Sequence, residues 1–180
     1  LGRDESNFSS DHPELTWAWP VAMRTLRVSA DESYTDCPWR ERGTYIGDSL
    51  VSLHLNALLS PNLTTGARVL RQFAEAQLPD GQLACCAPAW LRKPHEDFTL
   101  LWIIALHDYW QFTGDADFLR EHWPTVQRIW DSPSWASHAS GLWHGINRRF
   151  FLDWGIRSEE REGEANAAIN LLRVAAGRAS

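Results

Sequence analysis

Residues 36–48 read DCPWRERGTYIGD, and this short stretch concentrates acids, arginines and aromatic residues between two segments with helical patterns. Its acids are Asp36, Glu41 and Asp48, and Gly43 and Gly47 allow tight turns around them. A connection at one end of a helical layer is a common place for a functional site, because the helices hold it while its side chains face solvent. This stretch is therefore the first candidate for a site.

The composition limits the classes of protein to consider. A chain of 180 residues is long enough for one domain with a real core, and an apolar share of 44% is ordinary for a globular protein. The net charge of −6 and the lack of a basic stripe argue against nucleic acid and against an anionic membrane as partners. The longest apolar run, residues 100–106, is far too short to span a bilayer.

The three cysteines favour a reducing compartment. Their number is odd, Cys85 and Cys86 are adjacent and poorly placed to pair with each other, and no Cys/His set has zinc spacing. We therefore predict free thiols, a cytoplasmic location, and neither a metal nor a cofactor. The chain begins at Leu1 rather than Met, so the absence of a signal peptide says little about export.

The eleven tryptophans are an unusual number for a chain of this length. A flat indole ring presents a large surface at low entropic cost, and sugars have apolar C–H faces that stack on such rings. The alternative is that the tryptophans simply fill a helical core. Composition alone leaves both interpretations open.

Apolar spacing predicts about six helices. They cover residues 13–30, 47–59, 64–77, 96–112, 116–130 and 162–176, and a hairpin is expected around residues 142–152. In the first helix Trp17, Val21 and Met23 or Thr25 mark the expected apolar face, and Pro20 predicts a kink or a later start.

The order of these helices predicts two layers. Helices 47–59 and 96–112 are apolar on most faces, whereas helices 64–77 and 116–130 are amphipathic, so the second kind must cover the first. The long connections at residues 31–46, 78–95 and 131–160 would then gather a site at one end. The predicted fold class is all-α, with inner and outer helices joined as hairpins.

Four segments of the chain occur in an order that identifies a family. They are TDCPWRERGTYIGD (35–48), LPDGQLACCAPAW (78–90), HEDFTLLWIIALHDYWQFTGDADFLREHWPTVQRIW (95–130) and FFLDWG (150–155). Together they resemble the bacterial α-L-rhamnosidases, glycoside hydrolase family 78 of the six-hairpin glycosidase superfamily, over most of residues 10–175. The resemblance implies an incomplete (α/α)6 barrel, in which residues 1–180 are part of one catalytic domain whose C-terminal half is missing.

The resemblance also implies roles for individual residues. Counted back from Gly47-Asp48, Glu41 matches the family's general acid. The implied sugar-binding residues are Asp36, Arg40, Tyr45, Asp48, His95, Asp97 and Trp154. Tyr45 stands where the family has a sugar-stacking Trp, and the loop is one residue shorter than the family pattern, so Asp36 matches only across a deletion. The family's general base lies in the later half of the barrel.

These residue types fit glycoside hydrolysis, which needs one carboxylic acid to protonate the leaving oxygen and another carboxylate to activate water. The acid must be protonated near neutral pH, which burial or a neighbouring carboxylate favours, and which Arg40 and Arg42 would oppose if both pointed inward. Simpler interpretations stay open. Glu41 could form a loop salt bridge, Asp48 could be a helix N-cap, and Asp97 could merely complement the helix dipole.

The predicted function is an inverting, exo-acting, α-L-rhamnosidase-like removal of a terminal sugar, with inversion implied by the resemblance. The expected partner is a carbohydrate such as a terminal L-rhamnoside. Two alternatives stay open: an exo-glycosidase of the same barrel class with another sugar specificity, and a non-catalytic carbohydrate-binding or scaffold remnant that lacks the general base. Half a barrel further predicts an isolated chain that is inactive and self-associates through its open flanks.

Overall fold

The computed structural model describes residues 8–89, 93–136, 139–144 and 165–180, and their regular structure is helical. β pairing within these ranges is limited to isolated bridges. The prediction of an all-α fold is therefore confirmed for the described residues. The helices are α1 (Pro13–Ser29), α2 (Ile46–Leu59), α3 (Thr64–Glu75), α4 (Glu96–Thr113), α5 (Ala116–Trp130) and α6 (Ala167–Ala179), with a short 3-10 helix at Pro133–Trp135.

The helices form the two predicted layers around α4. Helix α4 packs against α2 on one flank and α6 on the other, while α3 and α5 cover its back and also contact each other. The inner helices α2, α4 and α6 alternate along the chain with the outer helices α1, α3 and α5. Because an outer helix returns the chain between each pair of inner helices, the inner helices run parallel and begin at the same end.

Burial explains why α4 is central. Its side chains Leu100, Trp102, Ile103 and Leu106 are at most 1% exposed, so they contact protein on every face of the helix. The indole nitrogen of Trp102 donates a hydrogen bond of 3.0 Å to the carbonyl oxygen of Leu70 on α3. A buried indole needs such a partner, because an unpaired polar group inside the core costs free energy.

A glycine and an aspartate form the junction between α4 and α5. Gly114 adopts the left-handed region with φ of 70°, and its N–H donates to the carbonyl of Trp110 at 2.7 Å, which ends α4. Asp115 then caps α5 by accepting a 2.9 Å hydrogen bond from the N–H of Phe118. Both features are ordinary helix-termination chemistry.

Two details of the helix predictions are wrong. Helix α6 begins at Ala167, because the Asn166 side chain caps it by accepting from the N–H of Ile169 at 2.9 Å, and it continues to Ala179. In α1 the buried side chains are Met23, which belongs to the predicted face, and Leu26, and both pack with Leu59 of α2. The rest of the predicted face is wrong, because Trp17 and Val21 are 69% and 45% exposed. Apolar spacing alone did not show which of several apolar stripes α2 covers.

The predicted hairpin around residues 142–152 lies mostly outside the described residues. Of this region, His144 forms an antiparallel bridge with Ala165. Trp143 is buried and its indole nitrogen donates to the carbonyl of Ser134 at 2.7 Å. The segment 139–144 is thus held against the start of α6 and the end of α5.

Gly81 generates a prediction about stability. Its φ is 88°, and a Cβ placed there would lie 2.2 Å from the carbonyl oxygen of Arg128 on α5. Gly81→Ala therefore combines a strained backbone with a backbone clash, and we expect it to lower the free energy of unfolding by about 3 kcal/mol or more. Urea denaturation followed by circular dichroism measures the effect.

Two matched glycines provide the controls. Gly114 also has positive φ but open space around its Cβ position, so Gly114→Ala should cost only about 1 kcal/mol. Gly177 lies within α6 with nothing within 4 Å, so Gly177→Ala should stabilise the helix by about 0.5 kcal/mol or more. Equal losses for Gly81→Ala and Gly114→Ala would contradict the clash.

Candidate active site

The connection between α1 and α2 closes on itself at its two ends. The N–H of Gly43 donates to Oδ1 of Asp36 at 2.8 Å, and the N–H of Asp36 donates to the carbonyl oxygen of Gly43 at 2.9 Å. Arg42, just before Gly43, adopts a left-handed conformation with φ of 48°. These contacts hold residues 36–43 as a closed loop rather than as a free segment.

A second contact fixes this loop to the segment between α3 and α4. The N–H of Ala87 donates to the carbonyl of Thr44 at 3.2 Å, and Tyr45 pairs with Cys86 in an antiparallel bridge. The partner segment is itself fixed, because the N–H of Cys85 donates to the carbonyl of Lys93 at 2.7 Å. The start of α2 and the approach to α4 are thereby joined.

Glu41 and Tyr45 form a pair on the loop. The Tyr45 hydroxyl donates to Oε2 of Glu41 at 3.1 Å. Burial, followed by the hydrogen bond to Glu41 and its negative charge, raises the pKa of Tyr45 to about 12, so Tyr45 stays protonated and remains the donor. Gly43 is required beside it, because a Cβ there would lie 2.5 Å from Cε2 of the tyrosine ring.

The two arginines of the loop point in different directions. Arg40 contacts Oε1 of Glu41, but its side chain is 81% exposed, against 41% for Glu41. Arg42 reaches Asp31 instead, at 3.5 Å. The expectation that at least one arginine points away from Glu41 agrees with this geometry. The exposed Arg40–Glu41 ion pair is weak, because solvent screens it.

The inner helices begin around one cavity of about 840 Å³. Asp36 from the loop, Asp48 from α2 and Asp97 from α4 all line it. Its other lining residues are mainly apolar and include Leu26, Val51, Leu55, Leu101 and Leu172. The cavity thus combines a cluster of carboxylates with a mainly apolar wall, as in sites where a few polar groups orient a ligand.

The environment of Asp48 disfavours the ionised form of its carboxyl group. Burial raises the pKa of Asp48, its backbone hydrogen bond lowers it, and the charges of Asp36 and Glu41 raise it further. Tyr45 occupies the N-cap position of α2, and Asp48 lies within the first turn. The interpretation of Asp48 as the N-cap is therefore wrong, although the positive end of the helix still favours a carboxylate there.

The start of α4 buries two acids. Asp97 is 2% exposed and Glu96 is 6% exposed, both in the first turn. His95 occupies the N-cap position, and its ring lies 5.4 Å from that of Phe98. Buried carboxylates are uncommon, and the partial positive charge of the helix N-terminus stabilises them.

The predicted site residues therefore fall into three groups. Around the cavity lie Asp36, Asp48 and Asp97. On the closed loop beside it lie Glu41, Arg40 and Tyr45, and Glu41 is close enough to Asp48 to affect its pKa. His95 adjoins Asp97 at the start of α4, and Trp154 lies outside the described residues.

Sequence reasoning missed two features, one at the start of α4 and one in the wall of the cavity. It did not select Glu96, although the His95-Glu96-Asp97 run at a helix start was a visible signal. It also did not use α6 as a wall, although Ala168 and Leu172 line the cavity at a spacing of four residues, which is one helical face. Within the described ranges, no three or more His, Cys, Asp or Glu side chains cluster in a way that could hold a metal ion.

The chain belongs to the bacterial alpha-L-rhamnosidase 6 hairpin glycosidase domain family, whose sequence model matches residues 3–176. The described helices include none that is long and apolar enough to cross a membrane. No match was found among curated proteins. The family assignment thus agrees with the fold class reached from the helices themselves.

Two solved structures are similar in fold. The GH78 family rhamnosidase of Bacillus sp. GL1 superimposes with a TM-score of 0.86 at 22% identity, over 98% of this chain and 18% of that one. A rhamnosidase from Klebsiella oxytoca with rhamnose bound gives a TM-score of 0.81 at 23% identity, over 95% of this chain and 34% of that one. The chain thus spans about a fifth to a third of the length of these relatives.

The environment of Asp48 generates a prediction about pH and stability. A carboxyl whose pKa is raised on folding favours the folded state when it is protonated, and this contribution is lost as the pH rises through the raised pKa. Asp48→Asn removes the charge, so we expect a higher melting temperature than in the wild type near pH ~7, and a smaller difference below about pH 3.5. Calorimetry at both pH values measures this.

The matched control is Asp31→Asn. Asp31 is an exposed loop carboxylate that lies 3.5 Å from Arg42, so removal of its charge should give no gain in stability at neutral pH. A decrease in melting temperature for Asp48→Asn near neutral pH would show that its hydrogen bond and the helix dipole outweigh burial.

Proposed function

We propose that this chain supplies the N-terminal half of an (α/α)6 catalytic domain that removes a terminal α-L-rhamnosyl residue, with inversion, and that Glu41 is the general acid. The observation on which the proposal depends is the position of Glu41, which is held by Tyr45 beside a cavity with three carboxylates. Membership of the family supports the reaction class. A relative of similar fold that binds rhamnose supports the choice of sugar.

The geometry is suitable for holding a sugar. Asp36, Asp48 and Asp97 line the cavity, and their carboxylates would accept hydrogen bonds from ring hydroxyls. The apolar wall opposite them would contact the C–H face and the methyl group of a deoxy sugar. In a terminal sugar bound in this way, the glycosidic oxygen would point toward the loop that carries Glu41.

Glu41 would then act on the glycosidic oxygen. Its Oε2 is fixed by the Tyr45 hydroxyl, which leaves Oε1 to donate a proton to the departing oxygen. Arg40 contacts that oxygen, but it is an exposed side chain whose ion pair is weak, and a leaving group can displace it. The proton moves from Glu41 to the leaving oxygen as the glycosidic bond breaks, and water attacks the opposite face of the sugar.

The second carboxylate, which activates water, is proposed to lie in the later half of the barrel. The two solved relatives are several times longer than this chain, which is in agreement with further helices completing the fold. The chain by itself would then bind a sugar weakly and would not hydrolyse it. A cytoplasmic location, suggested by three free thiols, stays a prediction.

One observation favours the alternative of another sugar specificity. Tyr45, which stands where the family has a stacking Trp, uses its hydroxyl to hold Glu41. Its ring is therefore fixed by that bond and by Gly43 rather than by a sugar. Hydrolysis rates for a panel of aryl α-L-rhamnosides, α-L-fucosides and β-D-glucosides distinguish this alternative from the rhamnosidase proposal, and no hydrolysis of any of them favours the non-catalytic remnant.

The proposed role of Glu41 predicts how leaving groups matter. In the complete protein, Glu41→Gln should lower kcat for a rhamnosyl disaccharide by about 10²-fold or more, because its alkoxide leaving group needs a proton. Hydrolysis of rhamnosyl fluoride should fall far less, since fluoride departs with little proton assistance. The ratio of the two rates is the measurement, and the anomer released, followed by NMR, tests inversion.

A matched control is Glu32→Gln. Glu32 lies in the same connection but is 87% exposed and 3.7 Å from Arg68, so both rates should stay near those of the wild type. An equal loss on both substrates in Glu41→Gln would assign Glu41 a structural role and exclude it as the general acid.

The open side of the half-barrel yields a prediction about the isolated chain. Val51, Leu55 and Leu58 of α2 are 59%, 44% and 74% exposed, and Leu171 of α6 is 70% exposed. Inner helices with such surfaces should associate with a second copy, because exposed apolar patches of this kind mark contact surfaces. Size-exclusion chromatography with light scattering on residues 1–180 should show dimers or larger species without glycosidase activity.

Leu58→Lys should shift that distribution toward monomer. Leu15→Lys is the control, because Leu15 is 50% exposed on the outer helix α1, where a new charge should leave the distribution unchanged. A monomer that hydrolyses rhamnosides would contradict the half-barrel proposal, since both catalytic carboxylates would then lie within these residues.

A further inference from the structure

Trp39 is the most exposed large apolar side chain among the described residues. It is 90% exposed, whereas Trp102, Trp135 and Trp143 are at most 5% exposed. Tryptophan is highly buried on average, because its ring has a large apolar surface. The described residues leave this indole in solvent on the loop of a candidate site, where a substrate or a further part of the domain can contact it.

The backbone around Trp39 is held in one conformation by hydrogen bonds. It lies in the middle of the loop that Asp36 and Gly43 close with two hydrogen bonds of 2.8 and 2.9 Å. Pro38, immediately before it, has a fixed φ and further restricts the backbone conformations of the loop. A ring on a braced loop loses little conformational entropy when a ligand binds, which is the condition for a binding platform.

The chemistry of glycoside hydrolysis determines which part of a substrate Trp39 would contact. A general acid must contact the glycosidic oxygen, so the leaving group extends from Glu41 away from the cavity that holds the terminal sugar. Trp39 precedes Glu41 by two residues on the same closed loop and faces solvent. Its place on this loop, outside the residues that line the cavity, suits contact with the leaving group.

We propose that Trp39 forms a leaving-group subsite, in which its indole stacks on a flat, apolar ring face next to the scissile bond. The inference rests on the proposed glycosidase function and adds to it the class of leaving group: a ring, either the C–H face of a second sugar or an aromatic aglycone. Such stacking contributes in the bound and transition states alike, so it acts on kcat/KM for ring-bearing substrates.

The test compares three substrates in the complete protein. They are methyl α-L-rhamnoside, which has no ring in its leaving group, a disaccharide of α-L-rhamnose linked to glucose, and an aryl α-L-rhamnoside. In Trp39→Ala, kcat/KM for the ring-bearing substrates should fall by about three- to tenfold relative to the methyl glycoside, as expected for one aromatic stacking contact. The two ring-bearing substrates show whether a sugar or an aromatic ring is preferred.

Trp39→Phe and Trp17→Ala are the two comparison variants. Trp39→Phe keeps an aromatic face and should recover most of the lost selectivity. Trp17, which is 69% exposed on α1, controls for the loss of an exposed indole, and Trp17→Ala should leave the selectivity ratio unchanged. Because both tryptophans are exposed, neither change should lower the melting temperature by more than a few degrees, on the order of the effect of a surface substitution.

The outcomes separate this inference from the function on which it rests. An equal fall on all three substrates would assign Trp39 a role in the shape of the loop and overturn the subsite, as would no change on any of them. A wild-type protein that cleaves no α-L-rhamnoside would contradict the proposed function first, and the subsite with it. A changed ratio in Trp39→Ala that Trp39→Phe restores would support the subsite.

Discussion

Burial of the apolar side chains in the first three turns of helix α4 is the constraint on which the rest of the structure depends. A helix with Leu100, Trp102, Ile103 and Leu106 excluded from water needs neighbours on both flanks and at its back. Helices α2 and α6 supply the flanks, and α3 and α5 supply the back. Since the outer helices return the chain each time, the inner helices begin together. The position of the carboxylate cluster at one end follows from this packing.

The common start of the inner helices also explains how buried acidic side chains are stabilised. Glu96 and Asp97 are buried in the first turn of α4, and Asp48 lies in the first turn of α2, where the aligned backbone N–H groups give a partial positive charge. That field is not enough for Asp48, because burial and the charges of Asp36 and Glu41 still raise its pKa. The site therefore holds negative charge at a cost in stability, which the apolar packing of α4 offsets.

Sequence reasoning predicted the parts of the fold that depend on local signals. Helices α3, α4 and α5 follow from periodicity and from the Gly114 and Asp115 signals at their junction. The start of α6 depended on one capping side chain, Asn166, which lies inside the range that was predicted to be helical. The buried face of α1 depended on what α2 presents, and no property of α1 alone could reveal that.

The candidate site likewise has features that depend on local sequence and features that depend on distant contacts. The motif in residues 36–48 pointed to Glu41 and to two of the cavity carboxylates, Asp36 and Asp48, since their chemistry is visible in their residue types. The contacts that position them are non-local in sequence, such as the pairing of Tyr45 with Cys86, and no spacing rule predicts them. The closure of the loop shows why this matters. Oδ1 of Asp36 already accepts a hydrogen bond from the N–H of Gly43, so Oδ2 would be the main acceptor of a hydrogen bond from a sugar hydroxyl. A carboxylate that the motif suggests as a sugar ligand thus also shapes the loop that holds Glu41, and loss of Asp36 would change both together.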